Sequence, residues 1–195
     1  MRKKDFRDQI SSNKIKSFIL MVIIFVVFVL LGFVISMAIG EGYFFLIMSL
    51  SIVFALSYIL INYYKSDKIA LASVKAKPAN RSDYKEFHDI VEGLTLASGL
   101  PKPNLYVMPS KNINAFAAGR SPKNSAICLT KGALEKLNKN ELEAVIGHEL
   151  GHIANYDIRF MTLTTIMVGL IAIISEYFLY SLWFSGGGRE KNWIF

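Results

Sequence analysis

The stretch Gly147-His148-Glu149-Leu150-Gly151-His152 sets two imidazoles four residues apart, with a carboxylate directly after the first. On a helix, at about 100° per residue, residues four apart lie one above the other on a single face. Two imidazoles placed so can share one Zn²⁺ at about 2.0–2.1 Å each. The ion would lower the pKa of a bound water towards ~7, and Glu149 would take the water's proton. This is the H-E-x-x-H arrangement, whose chemistry is metal-assisted hydrolysis of a peptide bond. The competing reading is a structural helix whose histidines are merely hydrogen-bonded. Val145, Ile146, Gly147, Leu150, Gly151, Ile153 and Ala154 are all uncharged, so the helix reads as built for burial. Burying a His–Glu–His cluster without a metal would be costly, which favours the first reading.

A catalytic zinc ordinarily has three protein ligands and one open position. The pattern supplies two, His148 and His152. Asp157 follows His152 by five residues and suits a role in orienting that ring from outside the coordination sphere. Glu176 sits inside an apolar run, and Glu190 lies beyond that run. His88 falls on the polar face of an earlier helix with Lys85, Asp89 and Glu92, so it reads as a solvated surface residue. None of these makes a convincing third ligand.

The elements that must carry the motif follow from periodicity and punctuation. Asn138-x-x-Glu141 is a capping box, and it predicts a helix over 139–155. Upstream, Ser82 reads as the N-cap of a helix over 83–98. Phe87, Ile90, Val91, Leu94 and Ala97 form its apolar stripe, and Gly99 with Pro101 ends it. The pieces "NLYVM", "INAFAAG" and "SAICLT" read as strands separated by Pro, Gly, Ser and Asn. They predict a small, mostly antiparallel sheet. "KGALEKL" reads as a short helix. The single cysteine, Cys128, lies within the third strand and reads as a small buried hydrophobe, so no disulfide framework exists within the chain.

The chain is 195 residues long and 53% hydrophobic, with a mean hydropathy of +0.38. Two charge-free runs, 18–39 and 43–64, are each long enough to cross a ~30 Å hydrocarbon core. A third, 161–184, carries one charge, Glu176. The first run is too long for a signal peptide, and no small-residue cleavage site follows it. Arg2, Lys3, Lys4, Arg7, Lys14 and Lys16 precede the first span. Lys65, Lys68, Lys75, Lys77 and Arg81 follow the second, while the connecting "GEG" has no positive residue. Both ends of this hairpin, and the histidines after it, are therefore expected on the cytoplasmic side. The juxtamembrane lysines would meet anionic headgroups of the bilayer. Between 65 and 159, fourteen basic and ten acidic residues are well mixed, so the net charge of +7 is no nucleic-acid footprint. Glu176 would face other helices or a polar cavity, or sit protonated.

Taken together, several segments resemble the HtpX-type membrane zinc metalloproteases, a bacterial family of stress-associated quality-control endopeptidases. They are the basic tail with its two-span hairpin, "NAFAAG" at 114–119, "LTKGALEKLNKNELEAVIGHELGHIANYD" and the span that follows at once. The resemblance covers essentially the whole chain. It implies an α+β protein in which transmembrane helices carry a cytoplasmic zincin-like domain, multi-pass in the cell membrane. It implies one Zn²⁺ per subunit on His148 and His152, with Glu149 as the catalytic base. It also implies that Asn114, Ala115 and Phe116 belong to a strand edge along the substrate cleft, where an extended peptide could add by main-chain hydrogen bonds. For Phe116, core packing is an equal alternative. The family's third ligand is a glutamate in a helix after a fourth span, a region expected past residue 195.

The expected organisation is a basic cytoplasmic tail at 1–17, the helical hairpin at 18–64, a partial metalloprotease domain at 65–160, and a third span at 161–184. A glycine-rich loop and the start of a fourth span occupy 185–195. The expected activity is cleavage of misfolded or damaged membrane proteins or other polypeptides, with room for a homo-oligomer. The chain reads as cut short. Its alternative is a non-catalytic truncated membrane protein that serves as a binding partner or scaffold.

Overall fold

The computed structural model describes residues 6–185. The expected start of a fourth span, most of the glycine-rich loop and Glu190 lie outside them. Helix α1, Phe6–Ile39, is followed after a single 3-10 turn by α2, Phe44–Tyr64. At 34 residues, α1 is about 51 Å long, well beyond a ~30 Å apolar core. The segment read as a basic tail therefore continues the helix from Phe6 onward. Among the described residues, α1 and α2 are the two helices long and apolar enough to cross a membrane. They pack closely because Gly32 faces Ser51: a Cβ on Gly32 would lie 2.4 Å from the Ser51 Cβ. Small residues at such a crossing let the backbones approach. Phe28 locks the pair further, edge-on to Phe54 at 5.1 Å and to Tyr58 at 5.0 Å.

After α2 comes a short helix, α3, Ser66–Ser73, then β1, Lys77–Pro78. By composition this lysine-bearing stretch reads as a polar exit from the second span, with Pro78 ending any helix. Leu71 explains the difference, since it is buried under the sheet with Met108, Ala126 and Cys128. Next come α4 (Lys85–Ser98), β2 (Asn104–Met108), β3 (Ala115–Ser121), β4 (Asn124–Thr130), α5 (Lys131–Lys136), α6 (Lys139–Ala154) and α7 (Asp157–Ser185). The third apolar run lies within α7.

The four strands stand in the order β1-β2-β4-β3. Two pairings are antiparallel, as expected, but β2 and β4 run parallel, with Tyr106 opposite Cys128. The sheet is thus mixed: β4 turns back from β3 and inserts beside β2. Gly119 makes that return possible. Its φ is +138°, and a Cβ there would lie 2.2 Å from the Asn124 carbonyl oxygen, beside the register shift at Gly119/Ser121.

One face of the sheet carries the main core. Leu105, Val107, Ala117, Ile127 and Leu129 meet Phe87, Ile90 and Val91 of α4 and Leu142, Ile146, Leu150 and Ile153 of α6. The α4 stripe departs from expectation at two places. Thr95 is buried, its hydroxyl donating to the Val91 carbonyl at 2.8 Å, while Ala97 is exposed. Ser82 is not the cap of α4. The helix starts at Lys85 with Tyr84 at its N-cap, and the Ser82 hydroxyl donates to Asp83 instead. Gly99 ends the helix in a left-handed conformation, as expected.

Candidate metal centre

Helix α6 starts where its capping box places it. The Asn138 side chain accepts from the Glu141 N–H at 3.0 Å, and the Glu141 carboxylate accepts from the Asn138 N–H at 2.9 Å. From that start, Leu142, Ile146, Leu150 and Ile153 fall on the sheet. His148 and His152 fall on a different face. His148 is exposed and His152 half-buried, so the pair sits at a rim. The helix read as built for burial is buried along one stripe, Leu142, Ile146, Leu150 and Ile153, while His148 and Gly151 are exposed. Gly147 and Gly151 leave open space beside the rings: a Cβ on either would meet nothing within 4 Å.

The two rings stand edge-to-face, centroids 4.7 Å apart, with their Nε2 atoms 3.2 Å apart. Two donors each about 2.0–2.1 Å from one tetrahedral ion lie roughly 3.3–3.4 Å apart, so the observed spacing fits a shared zinc. The second half of the fit comes from Asp157. Its Oδ2 lies 2.9 Å from Nδ1 of His152. A carboxylate only accepts, so Nδ1 carries the hydrogen and Nε2 keeps its lone pair for a metal. Glu149 follows His148 on the helix, half-buried. Among the described residues, no group of three or more His, Cys, Asp or Glu is placed to hold one ion. Asp157 does not become a third donor, because it is engaged on the far nitrogen of His152. Glu176 is exposed on α7.

The corner between α6 and α7 sets this geometry. Tyr156 adopts φ +60°, which reverses the chain so that Asp157 returns to His152. The corner is held by α1. The Asn13 amide donates to the Asn155 carbonyl at 3.1 Å and to Asp157 Oδ1. Lys14 lies 4.4 Å over the Tyr156 ring. Arg159 approaches the same ring at 5.4 Å and donates from Nε to the Arg120 carbonyl on β3. Sequence reading missed Asn13 altogether. It is 144 residues from Asp157, and nothing local to it signals the contact.

The predicted strand residues separate. Among the described residues β3 is a sheet edge, paired only with β4, and it lies against α6 through Ala115 and Ala117. Asn114 closes the ladder. Its carbonyl accepts from the Thr130 N–H at 3.1 Å, and its side chain accepts from the Ala115 N–H at 2.9 Å. Phe116 points to the other face, against the cluster of Leu71 and Cys128. His88 is not a solvated surface residue. Its Nε2 donates to the Ala79 carbonyl at 2.8 Å, and its Nδ1 is buried without a partner among the described residues. Cys128 is fully buried, and that burial pushes its thiol up to about 12.

Comparison with known proteins bears on what this corner is. The profile of peptidase family M48 matches residues 81–193, a range that takes in α4, strands β2 to β4, α6 and α7 but not β1. A protein named "Protease HtpX homolog" from Thermoanaerobacter pseudethanolicus is 46% identical over 143 residues, covering 72% of this chain and 48% of that protein. One of the same name from Dictyoglomus turgidum is 38% identical over 98% of this chain and 62% of its own length. Another from Lactobacillus helveticus is 34% identical over 94% of this chain and 61% of its own. The chain thus spans about half to three fifths of the length of these curated relatives.

Proposed function

Because this chain belongs to peptidase family M48, we propose that it is the core of a zinc-dependent endopeptidase of the cell membrane that cleaves misfolded or damaged membrane proteins. The observation that carries the reading is the 3.2 Å approach of two Nε2 atoms on one helix face, one ring fixed from behind by a carboxylate. His148 and His152 would hold the ion, and a bound Zn²⁺ supplies Lewis acidity to the scissile carbonyl and to an attacking water. Glu149 accepts the water's proton and later delivers it to the leaving amine nitrogen. Asp157 holds the His152 tautomer. The β3 edge receives an extended segment of substrate through main-chain hydrogen bonds, with Asn114 and Ala115 at the end nearest the ladder's close and Phe116 securing the strand from the opposite face.

Membrane topology fits this assignment. The N-terminal end of α1 contacts the α6–α7 corner through Asn13, and the C-terminal end of α2 lies beside β3 through Tyr64 and Arg120, 4.6 Å apart. The catalytic domain therefore sits where α1 begins and α2 ends, the lysine- and arginine-rich side, which is cytoplasmic by the charge rule. The apolar run 161–184 on α7 would add a third crossing to the two that α1 and α2 supply.

A Glu149→Gln variant tests the role of the base. Cleavage of a denatured model protein should fall by at least about 10²–10⁴-fold, while zinc content stays at the level of the unaltered protein. Retained proteolysis would remove Glu149 from the role. A second reading applies to residues 6–185 on their own, where two donors and no third are brought together: a non-catalytic form that binds intact subunits. Zinc content and casein cleavage, measured on this chain and on a form extended to its relatives' length, separate the two.

A further inference from the structure

We infer that Asn13, on the first apolar helix, is a positioning residue for the metal site: its amide holds Asp157 in place and so sets the orientation of His152. This rests on the reading of His148 and His152 as a metal pair.

The argument begins with what Asp157 needs. A carboxylate that fixes a ligand imidazole must itself be fixed, since a free rotor would let the ring turn. Asp157 is the first residue of α7, on a corner whose preceding residue has positive φ. No residue within α6 or α7 donates to its second oxygen among the described contacts. Asn13 does so: the same Nδ2 donates to Asp157 Oδ1 and to the Asn155 carbonyl. One amide thereby binds the C-cap of α6, Asn155, to the first residue of α7. The chain of contact runs Asn13, Asp157 Oδ1, Oδ2, His152 Nδ1, and ends 3.2 Å from His148.

Asn13 is placed by α1. Ser17, one turn along, is fully buried and donates to the Asn13 carbonyl at 2.8 Å. Lys14, the next residue, covers the Tyr156 ring. Two consecutive residues of α1 thus touch three consecutive corner residues: Asn13 holds Asn155 and Asp157, and Lys14 covers Tyr156. An amide suits the position better than a charged side chain. It donates to both a carbonyl and a carboxylate while adding no charge to a site already holding Asp157. The helix that begins the hairpin is therefore part of the metal site's frame and not only an anchor.

The test uses the full chain in detergent, with Zn²⁺ alone as the probe, competed against a chromophoric chelator. Asn13→Ala should weaken Zn²⁺ about ten-fold, the low end for a partner outside the coordination sphere. Asn13→Gln, which keeps the amide, should recover part of that loss. In an Asp157→Ala background, Asn13→Ala should cost less than about two-fold, because its route to His152 is already cut. An unchanged affinity in Asn13→Ala, or the same ten-fold loss in both backgrounds, would overturn the inference. A second readout needs no metal. In the histidine-labelled, metal-free chain, nitrogen NMR should show His152 as the Nδ1–H tautomer and Asn13→Ala as a tautomer mixture. An unmixed tautomer there would overturn the inference as well. Should the unaltered chain bind no zinc, or bind it as well after His148→Ala, the metal reading fails instead, and the tautomer readout still decides the role of Asn13.

Discussion

Nδ1 of His152 stands 2.9 Å from Oδ2 of Asp157, across a corner at which α6 stops and α7 starts. Removing the carboxylate frees the imidazole to rotate and to exchange its tautomer. Asp157→Ala should therefore weaken Zn²⁺ about 10–100-fold, and Asp157→Asn, which still offers an acceptor, should lose less. Chelator competition checks the order of the two, and equal affinities across all three proteins would contradict it.

Gly119 and Gly93 should respond in opposite ways to the same change. Gly119 has φ +138° and backbone atoms 2.2–2.9 Å from a Cβ's position, whereas a Cβ on Gly93 meets nothing. Gly119→Ala should destabilise the domain by about 2–4 kcal/mol. Gly93→Ala, in mid-helix, should stabilise it by about 0.5–1 kcal/mol. Denaturant melts of both variants decide the matter.

Glu92 gives the protein a weak acid dependence. Hydrogen bonds from Arg81, then from Lys102, hold its carboxyl down to about 2, from an ordinary value of 4.5. A depressed carboxyl contributes stability that is complete above its unfolded pKa and lost as pH falls through the folded one. The thermal midpoint of Glu92→Gln should thus trail the unaltered protein above pH about 4.5 and converge with it towards pH 2. The group is exposed, so the gap should be small and should shrink in high salt.

Cys128 should be inert in the folded protein. With its thiol at about 12, the thiolate fraction at pH 8 is about three orders of magnitude below that of an ordinary cysteine near 8.5. Alkylation should be negligible until denaturant is added and then proceed at the rate of a free thiol. Rapid labelling in the native state would disprove the burial.

Local chemistry made much of this molecule readable in advance. The capping box at Asn138 and Glu141 placed the start of α6, and the four-residue spacing of His148 and His152 placed their rings together. Both are properties of neighbours on one helix. What escaped was decided by contacts between distant segments. The parallel pairing of β2 with β4 depends on which strand a neighbour chooses, and alternation cannot encode that choice. α3 hid in a lysine-bearing stretch because one buried leucine, Leu71, is too little to make a stripe. His88 looked solvated since its helix face is polar, yet the carbonyl that receives it belongs to Ala79, outside the helix. Asn13 is the extreme case, a polar residue whose partner lies more than a hundred positions away.

The strand order has a kinetic consequence. β3 and β4 are joined by a tight return at Pro122–Lys123, so they can zip on the microsecond scale of a hairpin. β2 meets β4 only after the loop through β3 has closed, a slower event because its partners are more than twenty residues apart. The hairpin should consequently appear first and offer its β4 flank as the template on which β2 crystallises. An alanine at Gly119 would then retard refolding as well as lower stability, and a stopped-flow trace would register the delay.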